Sequence, residues 1–98
     1  MSLFALFFAG ALLCNSIPHL CAGLQGVPFP SPFASPPGIG NSSPLVNVFW
    51  GLFNAWAALA LVSHHPFQVG LNTESATFFA GALAAGAVCS IHFGKNRK

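Results

Sequence analysis

Charge is what this chain has least of. Only 4% of its 98 residues are Asp, Glu, Lys or Arg, and Glu74 is the single acid. A domain that lives in water carries about 25% charged residues. With 54% of the chain apolar, no rearrangement could cover it with a charged surface. A lone acid also excludes chemistry that needs paired carboxylates. No carboxylate lies within an apolar run, as a proton-coupled antiporter of the small multidrug type would require. The cationic side chains Lys95, Arg97 and Lys98 are confined to the last four residues. There is no basic face, so no nucleic-acid partner is expected. Cysteine is scarce too: Cys14, Cys21 and Cys89 form neither a disulfide framework nor a CxxC pair. All three sit in apolar segments, where a thiol behaves as a small hydrophobe. No GxxxxGK phosphate cradle is present.

What remains is long apolar sequence. The first run spans about residues 3–22, long enough for a helix to cross a hydrocarbon core of about 30 Å. A cleaved signal peptide is the rival reading, but the run lacks a basic n-region and a convincing small-x-small site. Residues 23–43 form a connector rich in proline and glycine, which breaks helix. It has no charge and contains Phe29, Phe33 and Ile39, so it is expected at the bilayer interface or folded back onto the helices. Ser43 suits an N-cap and Pro44 the first helical position, opening a second helix over about 44–62. Trp50 reads as a packing residue, and Trp56 as an interfacial anchor. A short connector over 63–72 precedes a third helix over about 73–93. Asn72 or Thr73 would cap it, Glu74 would complement its dipole, and Gly94 would stop it. Residues 94–98 are a basic tail. The expected fold is therefore an all-α membrane protein with three transmembrane helices and a long Pro/Gly-rich connector between the first two. Basic flanks stay in the cytoplasm, which puts the C-terminus inside and the N-terminus outside.

A few polar residues interrupt the apolar runs. Pro18 lacks an amide N–H for the carbonyl of Cys14, so a kink or an early helix end is expected there. Asn15 and His19 are four apart and share a face. On the second helix Asn47, Trp50, Gly51 and Asn54 are spaced 0, 3, 4 and 7, which also defines one side. Asn15, His19, Asn47, Trp50 and Asn54 are thus the expected interhelical contacts or pocket, with the two faces turned toward each other. In the third helix Gly81/Ala85 and Ala82/Gly86 fit small-xxx-small packing.

Several of these stretches occur together in a recognisable order. N-S-I-P-H at 15–19, F-P-S-P-F-A at 29–34, P-P-G-I-G at 36–40, S-S-P at 42–44 and N-V-F-W-G-L-F-N at 47–54 resemble small uncharacterised bacterial integral-membrane proteins. The resemblance implies an integral-membrane protein and brings no activity with it; the bacterial inner membrane is the expected location.

Three functional readings follow. The first is an accessory or scaffold subunit, not an enzyme, that packs against partner membrane subunits or copies of itself within the bilayer. The second is a small homo-oligomeric transporter or channel, with Asn15, His19, Asn47 and Asn54 lining the path. The third is a redox or metal-handling membrane protein. His64, His65 and His92 show no diagnostic ligand spacing, so no metal and no cofactor are expected, and His19 is the best single candidate ligand.

Overall fold

The computed structural model describes residues 2–96; the tail residues Arg97 and Lys98, like Met1, lie outside them. Three helices form the body: α1 (Leu3–Leu24), α2 (Pro44–His64) and α3 (Thr73–Lys95). Each is long and apolar enough to cross a membrane.

The helix starts follow from local chemistry. Ser2 accepts from the amide of Ala5, Ser43 from that of Val46, and Asn72 from that of Ser75. Each bond satisfies a donor that has no partner inside its helix. The helix ends run later than the sequence suggests. α1 does not stop at Pro18 but continues through it to Leu24. One missing backbone bond does not end a long apolar helix whose other bonds have no better partner in lipid. α2 runs two residues past 62, to His64. α3 passes Gly94 and ends at Lys95, where Asn96 donates through its backbone and side chain to the carbonyl of His92.

α1 is the centre of the molecule. It packs along both α2 and α3, which make little direct contact with each other. Between α1 and α3 the backbones touch. A Cβ on Gly10 would overlap the carbonyl of Phe78, and a Cβ on Gly81 would overlap that of Phe7. Small residues permit this approach, and dispersion contacts follow from it.

Residues 25–43 fold against the end of the bundle where α1 and α3 finish. Two short strands pair antiparallel there, β1 (Phe29–Pro30) and β2 (Asn41–Ser42), with Phe29 opposite Ser42. The strap between them buries Ser31 and Ala34. Ser31 Oγ meets Ser42 Oγ at 2.6 Å and accepts from the amide of Phe33. On the far side, His92 Nε2 donates to the carbonyl of Gly38 at 2.7 Å. The Phe29 and Phe93 rings pack 4.7 Å apart.

The burial pattern is inverted relative to a protein folded in water. The buried apolar residues are Leu6 and four alanines, whereas the buried polar ones include Ser16, His19, Ser31, Asn47, Asn54 and Ser75. Phe4, Phe49, Trp56, Leu83 and Ile91 point outward. A core of amides and hydroxyls beneath a skin of Phe and Leu is compatible with an integral membrane protein.

Candidate functional site

The polar interior is built in two layers on the α1–α2 face. The outer layer, nearer the strap, pairs His19 with Asn47. His19 Nδ1 lies 2.7 Å from Asn47 Oδ1. Asn47 Nδ2 donates to the carbonyls of Phe29 at 2.9 Å, Ser43 at 3.1 Å and Ser42 at 3.4 Å. One fully buried amide thus ties α1, the start of α2 and both short strands together. The spacing explains the reach: Asn47 sits on the first turn of α2, directly above the carbonyls of its own N-cap and of the strand before it.

The inner layer lies one turn deeper. Asn15 Nδ2 donates to Asn54 Oδ1 at 3.1 Å, and Asn54 Nδ2 donates to the carbonyl of Trp50 at 2.8 Å. The Cys89 thiol of α3 lies 3.5 Å from Asn15 Oδ1, a weak bond that closes the layer. Between the layers Gly51 admits Leu20; a Cβ there would lie 2.7 Å from Leu20 Cγ.

Aromatic rings enclose His19. Phe29 stands 5.5 Å away, Trp50 and Phe93 each 6.5 Å, all near-perpendicular to the imidazole. Edge-to-face geometry of this kind holds a ring in one orientation.

Asn15, His19, Asn47, Trp50 and Asn54 therefore meet in one cluster, while Pro18, next to His19 in the chain, is only half-buried. His64 and His65 lie at the other end of α2. His92 is spent on the Gly38 carbonyl. Among the described residues no three His, Cys, Asp or Glu side chains converge as a metal would need. Phe29, Ser31, Ser42, Cys89 and Phe93 complete the cluster; of these, Ser31, Ser42 and Phe93 did not stand out in the sequence. The uncharged P-S-P between two phenylalanines was the available signal, since a polar residue there needs cover if the segment turns inward.

No protein-family model, curated protein or solved structure matches the chain. What it does must be read from the geometry.

Proposed function

We propose that the chain is a small accessory or scaffold subunit of a larger assembly, set in the bacterial inner membrane with its C-terminus in the cytoplasm. One observation carries this reading: most of the polar groups inside the helical spans turn inward and bond to each other, while the outer faces offer mainly apolar side chains. Asn47 and Asn54 direct their amide nitrogens to backbone carbonyls. Among the described residues no fully enclosed side-chain nitrogen or oxygen lacks a partner. Groups bonded in this way hold a fold together rather than replace the hydration of a passing solute.

The outer faces supply the contact surface. Phe49, Leu52, Phe53, Trp56 and Leu59 are exposed on α2, as are Phe79, Leu83, Val88 and Ile91 on α3. Lipid covers part of this area, and helices of neighbouring subunits or further copies of the chain cover the rest. The orientation rests on the cationic tail, and the bacterial setting on the resemblance of residues 15–54 to small bacterial membrane proteins. Affinity purification from the native membrane in mild detergent tests the proposal. A stoichiometric membrane partner or a defined oligomer is expected. A lone monomer that retains its fold would contradict it.

A further inference from the structure

The hydrogen bonds around His19 fix more than its position. Asn47 Nδ2 faces three carbonyls, which only accept, so the amide nitrogen is on that side and the oxygen faces His19. An amide oxygen accepts, so His19 Nδ1 must donate to it. In a neutral ring the other nitrogen, Nε2, is then a bare acceptor. The ring is neutral because no carboxylate is near. The only acid, Glu74, opens α3 at the opposite end, and an unpaired buried charge is costly.

His19 is 3% exposed, and Nε2 has no hydrogen-bond partner among the described residues. Yet no buried side-chain nitrogen there is sealed off without a partner. Nε2 therefore borders open space. His19 lines a cavity of about 210 Å³ whose walls include Pro30, Trp50, Val88 and Phe93. A dry cavity of about 150 Å³ is enough to hold benzene. The exposed Pro32 and Val88 also line it, so it opens outward between the strap and α3.

We propose that this cavity binds a single aromatic ring bearing a hydroxyl group, a phenol or a quinol head, whose O–H donates to His19 Nε2. Trp50 and Phe93 in the wall suit a flat ring, and the unpaired Nε2 suits one donor; Asn15, Ser31, Cys89 and His92, which also line the cavity, are bonded to other groups of the chain. A cation finds no such welcome: the Cys89 thiol is turned to Asn15 and the His92 ring to Gly38, which leaves His19 without a second ligand. The same ring chemistry can arrive as a free phenol or as a quinol dissolved in the bilayer. The pocket stands on its own geometry, whatever the chain assembles with.

The test uses the full chain carrying Trp56→Phe, which leaves Trp50 as the only tryptophan, in nanodiscs of phosphatidylethanolamine and phosphatidylglycerol. Phenol and an isoprenoid-tailed quinol should quench Trp50 saturably. Anisole has the same ring without the donor and should bind about tenfold more weakly. Tighter binding of the tailed quinol than of free hydroquinone identifies the bilayer as the source; equal affinity identifies the free ring. Val88→Phe fills the cavity from an exposed position and should abolish quenching with the melting temperature unchanged. Nitrogen-15 spectra should show His19 with a proton on Nδ1 and none on Nε2. Equal affinity for phenol and anisole, quenching that never saturates, or a proton on Nε2 would overturn the proposal. The phenol–anisole comparison and the spectrum need no variant in the cavity, so they decide even if Val88→Phe fails to fold.

Discussion

The two faces of α1 solve the same problem by different means. Toward α2 it presents Asn15 and His19, and the helices are joined by directed bonds to Asn54 and Asn47. Toward α3 it presents Gly10, and the helices are joined by contact of backbone with backbone. In lipid neither face gains from expelling water, because the tails outside are as apolar as leucine. The first face fixes register, since an amide one turn out of place would lose its partner. The second gains area and dispersion contacts but tolerates no added atom.

That contrast is broken most severely on the α3 side. Gly81→Val places a branched side chain where the Phe7 carbonyl already sits, and overpacking of this kind costs about 3 kcal/mol. Unfolding measured by steric trapping in bicelles should show it. A loss below about 1 kcal/mol would mean that the helices do not meet at this crossing. On the α2 side Asn47→Ala strands the His19 donor and takes the side-chain donor from the carbonyl of Phe29, for a loss of about 2 kcal/mol. A double-mutant cycle with His19→Ala should return a coupling of about 1 kcal/mol, and additivity would argue against the bond. The smallest effect is expected at the strap. His92→Phe keeps the ring but removes the donor to Gly38, costing about 1 kcal/mol. Proteolysis of residues 25–43 should accelerate while the helices keep their melting temperature. Unchanged cleavage would show that Phe29 and Phe93 hold the strap without help.

The same contrast explains what could be read from the sequence. Three apolar runs and the Ser43-Pro44 start declare themselves locally, because span length and capping depend on neighbours in the chain. Helical spacing is enough to put Asn15 with His19 and Asn47 with Asn54. Helix ends were less legible. α1 outlasts Pro18, and α3 outlasts Gly94, because surroundings and a capping Asn96 override what one residue prefers. The strap was least legible of all. Ser31, Gly38 and Cys89 acquire roles only through partners distant in sequence, Ser42, His92 and Asn15. No periodicity encodes those pairings.

The central place of α1 has a consequence for how the protein is made. The helix that both other helices lean on leaves the ribosome before them. Its Asn15 and His19 enter the membrane before either partner amide has been synthesised, and polar side chains in lipid are costly while alone. Completing α2 relieves most of that exposure, because Asn54 takes the Asn15 amide nitrogen and Asn47 takes His19 Nδ1 without any residue of α3. The hairpin of α1, strap and α2 thus holds most of its hydrogen bonds by itself, and α3 adds the bonds of Cys89 and His92 as it is fitted against the glycine side. Birth order and bonding order coincide in this chain.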